Sequence, residues 1–278
     1  VSDTTGMDIN QALGQSHELK EALGGGGFGE FMEQNAKLLF AIFVVIMLGA
    51  LGYVGYQFVQ KHQERIAQDD LSPAEEKFNK MKDGFEQAKM QALMPGMAPK
   101  DDKTVQAKPA TGNLEQDYGS VLTDLEKVAR ERAGTSAGAQ AAILLADTYI
   151  SYKQPEKAIE MAKIPAERLS SSNTLASLAR VLWGTALADK GDCGQAVGVW
   201  QAVIDSKNDK FLHPDVGLRS GLCYEKLGQL DKAAEMYRKV SAEAGDSAAG
   251  QTAKGLLRAL EMKMKTTPAA EAGKGGAA

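Results

Sequence analysis

WGTALADKGDCGQAVGVW, residues 183–200, and SGLCYEKLGQLDKAAEMY, residues 220–237, lie on one another without a gap at a spacing of 37 residues. Four residue types recur at fixed places: a small one (Gly184, Gly221), a turn glycine seven later (Gly191, Gly228), an alanine five beyond (Ala196, Ala233) and an aromatic four beyond that (Trp200, Tyr237). Each has a job in a pair of packed helices. Small residues let the helices touch, glycine takes the left-handed turn, and the aromatic fills the groove against the next unit. An earlier stretch, LLADTYISYKQPEKAIEMA, residues 144–162, follows more loosely through Ala146, Tyr149 and Ala158, with Tyr224 as the later counterpart of Tyr149.

Working outward, the segments AAILLADTYI, LASLARVLWGTALA, CGQAVGVWQAVI and LDKAAEMYRKV carry apolar and small residues at helical spacing, separated by short breaks such as KQPE, KGD and LGQ. From residue 113 to 264 the chain therefore reads as consecutive helical hairpins with no strand. The pattern resembles the tetratricopeptide repeat, with a slightly longer period, and it favours a solenoid over an unrelated α-bundle. The fold class expected is all-α: one transmembrane helix followed by a tetratricopeptide-like helical-hairpin solenoid.

The register also picks out an inner face. Ile143 and Ile150, Val181 and Thr185, and Leu218 and Leu222 fall on the first helix of successive units and form a candidate concave, partner-binding surface. This lining is oily, without the Lys and Asn clamp that suits peptide carboxylates, so an apolar helix or extended segment fits it better than a charged tail. A second reading stands beside it, in which the chain's own helices at 114–131 or 248–264 cover these side chains. Cys193 opens one second helix and Cys223 lies late in the following first helix. A Cys193–Cys223 disulfide is thus open to the geometry, while unpaired small core residues are the slightly favoured reading.

Upstream lies LLFAIFVVIMLGALGYVGYQ, residues 38–57. From Leu38 to Gln60 no side chain is charged, and a helix of that length rises about 34 Å, enough for a hydrocarbon core of about 30 Å. A signal-peptide core is shorter and is followed by a small-residue cleavage site. The segment at 31–60 is therefore expected to span a lipid bilayer, with Tyr53 and Tyr56 at its headgroup end. Gly49, Gly52 and Gly55 recur every third residue rather than every fourth and do not make a G-x-x-x-G face. Lys20 and Lys37 before the span against Lys61, Arg65, Lys77 and Lys80 after it leave the orientation open on charge alone.

The remaining segments are organisational. Residues 1–30 read as a flexible tail whose GGGGFG run, lacking a preceding strand, is a hinge rather than a dinucleotide fingerprint. Residues 61–94 read as a juxtamembrane helix, a stalk or entry helix, with SPAEEKF at Ser72 as a helix start, proline at the first position and acids in the first turn. Residues 95–112, with three prolines, read as a disordered linker, and 265–278 as a disordered tail. A formal charge of −4 gives no electrostatic footprint for nucleic acid. His17, His62 and His213 stand apart without metal-ligand spacing, and pairs such as Asp101–Asp102 and Glu75–Glu76 belong to solvated segments. No Walker A, G-x-S-x-G, H-E-x-x-H or C-x-x-C motif occurs. No catalytic residue, cofactor or metal is expected, and the residues fix no oligomeric state.

EFMEQNAKLLFAIFVVIMLGALGYVGYQFVQKHQE (30–64), with its approach Glu33, Asn35, Lys37, Leu39, then the stalk, then degenerate repeats carrying ALADKGDCGQAVGVWQ (186–201), is similar to the YfgM-like family of bacterial single-pass inner-membrane proteins. The likeness runs over about residues 30–262; the proline-rich insert, the N-terminal tail and the alanine-rich C-terminal tail depart from it. The resemblance implies a cytoplasmic N-terminus and a periplasmic repeat domain. It also implies an ancillary Sec translocon subunit that recruits periplasmic chaperones or isomerases, or nascent exported chains. The alternative is a structural envelope scaffold for a motility, secretion or cell-wall complex.

Overall fold

Every regular element in residues 35–94 and 108–266, the part of the chain that this computed structural model describes, is helical. The readings on the N-terminal tail, on residues 95–107 of the linker and on residues 267–278 lie outside that part. The chain divides into two units, residues 1–62 and 63–278.

In the first unit the described residues form the start of α1 (Ala36–Leu93), a helix without a charged side chain from Leu38 to Gln60 and with none of its apolar stretch buried inside the protein. Phe40, Val45, Leu48, Leu51, Val54 and Phe58 are all exposed. A helix that is oily on every side and buried nowhere is compatible with a single-pass membrane anchor, because water is a poor solvent for it. Tyr53 and Tyr56 sit on successive turns, and Gln57 and Gln60 donate amide hydrogens to their hydroxyls at 3.0 and 2.9 Å.

In the second unit α1 continues through Pro73, where the sequence predicts a new helix start. Proline removes one backbone donor and costs about 3 kcal/mol inside a helix. Packing outweighs it. Leu71 and Phe78, on either side of Pro73, are 1% exposed, and each such side chain contributes roughly 1.5–3 kcal/mol on burial. The Ser72 hydroxyl, read from sequence as an N-cap, donates to the Gln68 carbonyl at 2.8 Å instead. Two carboxylates fasten the same stretch: Glu64 accepts the Ser136 and Ala137 amides at 2.9 and 3.1 Å, and Asp70 pairs with Arg132 at 2.8 Å. The part of α1 from Glu64 to Phe85 thus packs against the repeats as an entry helix, while Met90 and Leu93 at its end are exposed.

The hairpins follow: α2 (Leu114–Tyr118) and α3 (Ser120–Glu131), α4 (Ser136–Ser151), α5 (Pro155–Arg168), α6 (Thr174–Lys190), α7 (Cys193–Ile204), a 3₁₀ turn at Lys210–Leu212, α8 (His213–Lys226), α9 (Leu230–Glu243) and α10 (Ala248–Thr266). From α3 onward each helix packs mainly on its neighbours in sequence, and α4 also touches α6. This nearest-neighbour order is that of a solenoid of tetratricopeptide-like hairpins. Asn113, Thr135 and Asn173 cap α2, α4 and α6 with side-chain oxygens, and Gly191 (φ 97°) closes α6 in the left-handed conformation.

The repeat marks are contacts. A Cβ on Gly184 would fall inside the Trp200 indole, and one on Gly221 inside the Tyr237 ring, so in both units a missing side chain makes room for an aromatic. The looser first unit replaces both members of the pair. Ala146 stands for the glycine and Ala162 for the aromatic, and both are fully buried. Its turn uses Lys153 at φ 57° where the others use Gly191 and Gly228, a conformation costing a side-chain-bearing residue roughly 1–2 kcal/mol.

Candidate partner-binding surface

The first helix of each hairpin positions the predicted inner-face residues. Ile143 on α4 and Val181 on α6 line one cleft of about 360 Å³. Its α6 wall adds Leu175, Leu178 and Leu182; Leu144 completes the α4 wall, and Leu71 of α1 closes the third side. Glu75, Gln140 and Asp147 stand at the rim, and no basic residue lines it. The carboxylates of Glu75 and Asp147 meet no hydrogen-bond donor or ion-pair partner among the described residues.

The other four predicted residues divide. Ile150 packs half-buried against the first hydrophobic cluster, which α1 to α6 build. The Thr185 hydroxyl donates to the Val181 carbonyl at 2.8 Å and receives a long contact of 3.4 Å from Arg219. Leu218 packs half-buried against the cluster of Tyr237 and Leu260, which Leu256 and Leu257 of α10 (within the range read from sequence as a self-cover) also flank. Leu222 remains 45% exposed. At the other end the third wall is α1, not the helices at 114–131. Sequence reasoning missed Leu71 and Glu75 because their contacts with α4 and α6 are separated from them by roughly seventy residues or more. The heptad-like spacing of Ala67, Leu71, Ala74 and Phe78 was the signal available.

Polar groups fix the walls. Asp209, fully buried, accepts from Ser177 at 2.7 Å, Thr174 at 2.9 Å and Ser206 at 3.0 Å, which joins the start of α6 to the loop before α8. Burial pushes its carboxyl upward, but those hydroxyls together hold it below the ordinary carboxylate range. Asp117 behaves alike: burial opposes its charge, and the Thr111 and Gly112 amides with the Tyr152 and Thr111 hydroxyls hold the carboxyl down. Thr111 and Gly112, read from sequence as the end of the disordered linker, are therefore tied to α2. The Trp200 indole donates to the Val181 carbonyl at 3.1 Å, fastening α7 to the groove helix α6.

Cys193 and Cys223 are joined in a disulfide, with Cα atoms 5.1 Å apart and both residues 2% exposed, where the sequence slightly favours unpaired thiols. The start of α7 faces the last turns of α8 across adjacent hairpins, a proximity that period counting makes plausible and only the packing fixes. His62 stacks on Phe58 and His213 Nε2 bonds the Ser206 carbonyl, so neither shares a site with the other. Among the described residues no group of three or more His, Cys, Asp or Glu side chains is placed to hold a metal ion.

No protein-family model matches this chain, and no curated protein matches it either. Among solved structures, the crystal structure of MamA protein is similar at 18% identity and a TM-score of 0.41, covering 67% of this chain and 88% of that one. A structure of nearly identical TPR-like repeats from Podosopora anserina is similar at 15% identity and a TM-score of 0.40, covering 67% and 97%. The fold assignment rests on the chain's own hairpins: it is an all-α protein with one long apolar helix and tetratricopeptide-like repeats.

Proposed function

We propose that this protein is a membrane-anchored protein–protein interaction module, in which the apolar part of α1 tethers the chain in a bacterial inner membrane and the inner face of the repeats holds protein partners. The observation that carries the reading is the half-buried apolar cleft between α1, α4 and α6, on a chain whose anchor candidate is buried nowhere. A single contiguous apolar cleft with a thin polar rim is a surface for binding.

The disulfide supports a sidedness for the reading. Buried structural bridges form and persist in oxidising compartments and are rare in the cytosol, so the pairing of Cys193 with Cys223 supports a repeat domain on the periplasmic side and an N-terminus in the cytoplasm. Together with the YfgM-like layout, this favours an ancillary Sec translocon subunit that recruits periplasmic folding factors or nascent exported chains. The second reading, an envelope scaffold for a motility, secretion or cell-wall machine, uses the same tether and cleft. Co-purification from native membranes in mild detergent, comparing the unaltered chain with Leu178→Asp/Leu182→Asp, tests both. Translocon subunits lost from the variant at unchanged helicity support the first reading; loss of a secretin, motor or division complex supports the second. Identical eluates overturn the cleft as the interaction site.

A further inference from the structure

We infer that the α1–α4–α6 cleft takes a cationic amphipathic helix: apolar side chains at i, i+3 or i+4, and i+7, flanked by Lys or Arg. The inference rests on the interaction-module reading and names the partner's chemistry.

Charge complementarity comes first. The rim carries two carboxylates, Glu75 on α1 and Asp147 on α4, and neither has a partner among the described residues, while no base lines the cleft to repel or compete. Elsewhere on α1 carboxylates are engaged: Glu64 by backbone amides, Asp70 by Arg132 and Glu76 by Lys80. Glu75 and Asp147 are the pair left facing the opening of an oily slot. An acidic occupant would be repelled there, whereas Lys or Arg at the flanks of an apolar segment would meet both oxygens without leaving water.

Length and shape indicate a helix. The α4 wall runs from Gln140 to Asp147 and the α6 wall from Leu175 to Leu182, each a seven-residue step of about 10.5 Å. That equals the i to i+7 reach of one apolar stripe on a guest helix, the recurring helix-in-groove mode. The chain already contains such a fit. Along α1 the side chains of Ala67, Leu71, Ala74 and Phe78 are buried in the first cluster, with Ala137, Ala141 and Ala142 of α4 among its members. Small residues on α4 thus accept one helix on one side, and the cleft presents the adjoining lane, floored by Leu178 and Leu182, to a second.

The test uses the full chain in nanodiscs of zwitterionic lipid. The probes are a fourteen-residue Leu/Lys/Ala helix bearing a photoreactive leucine, its charge-reversed Leu/Glu/Ala twin, and a scrambled Leu/Lys/Ala peptide of the same composition. Adducts are mapped by mass spectrometry, so peptide adsorbed to lipid is not counted. The inference predicts adducts on α4 and α6 with the Lys peptide, roughly fivefold fewer with the Glu peptide, the scale of two exposed charge pairs, and fewer with the scrambled peptide, which lacks the apolar stripe. Added salt should lower the Lys yield, and Glu75→Lys/Asp147→Lys should reverse the preference between the two helical peptides. Equal labelling by Lys and Glu peptides, equal labelling by the scrambled peptide, or adducts absent from the cleft overturns it. If that occurs while Leu178→Asp/Leu182→Asp still releases partners from membranes, the module reading stands and only the occupant's chemistry is wrong.

Discussion

Reduction of Cys193–Cys223 should loosen this domain at one defined seam. The bridge spans a sequence separation of 30 residues, for which restriction of the unfolded chain contributes about 3–4 kcal/mol. In a solenoid that contribution is not shared across the array but falls on the contact between the α6–α7 and α8–α9 hairpins. For a domain on the order of 200 residues, each kcal/mol moves the melting midpoint by about 2–4 °C, so the bridge accounts for roughly 10 °C at that seam. The assay is far-ultraviolet circular dichroism of the purified full chain in detergent, heated with and without reductant after incubation long enough for the buried sulfurs to exchange. Cys193→Ser/Cys223→Ser serves as the permanently open form. Both the reduced and the mutated proteins should show an earlier transition confined to α8–α10, while the α1–α7 signal melts close to its original temperature. Coincident melts in all three forms, or a uniform shift of a single transition, would refute the reasoning.

Other outcomes follow from the same contacts. Gly184→Ala drives a methyl into the Trp200 indole and should destabilise by about 1–3 kcal/mol, and Trp200→Ala alone by about 3–5 kcal/mol. The double variant copies the Ala146–Ala162 pairing of the first unit, so chemical denaturation should show it costing less than the sum of the singles. Lys153→Gly relieves the left-handed φ of 57° and should stabilise by about 0.5–1 kcal/mol once glycine's extra unfolded-state freedom is subtracted. Because Asp117 and Asp209 have carboxyls held below their ordinary value in the folded chain, their stabilisation is complete above about pH 4. It is lost as the pH falls through those depressed values. Denaturation midpoints of the unaltered chain should therefore drop steeply below that pH, and Asp209→Asn should be weaker at neutral pH with a shallower acid slope.

The parts of the fold that sequence makes legible are those where geometry admits few residues. A Gly184–Trp200 contact needs a bare Cα and a large ring, and both leave marks at a fixed spacing. The first unit meets the same requirement with Ala146 and Ala162, a solution that looks like ordinary alanine, and so it reads as a poor match. Pro73 misleads because a local rule of helix starts is outweighed by burial of Leu71 and Phe78, which depends on residues far away in the chain. The candidate site is legible in its smaller part: Ile143 and Val181 follow from the repeat register, whereas the α1 wall with Leu71 and Glu75 exists only once the helix has folded back on α4 and α6. Leu218 is half-buried against the cluster that Tyr237 forms with Leu260 of α10, a packing that also depends on residues far along the chain.

The central claim, that a single helix tethers interaction repeats outside the cytoplasm, is tested most directly by protease treatment of intact spheroplasts followed by immunoblotting for the repeat domain. The account predicts that the domain is degraded while a cytoplasmic marker survives. Repeats that stay whole until the membrane is broken would contradict it.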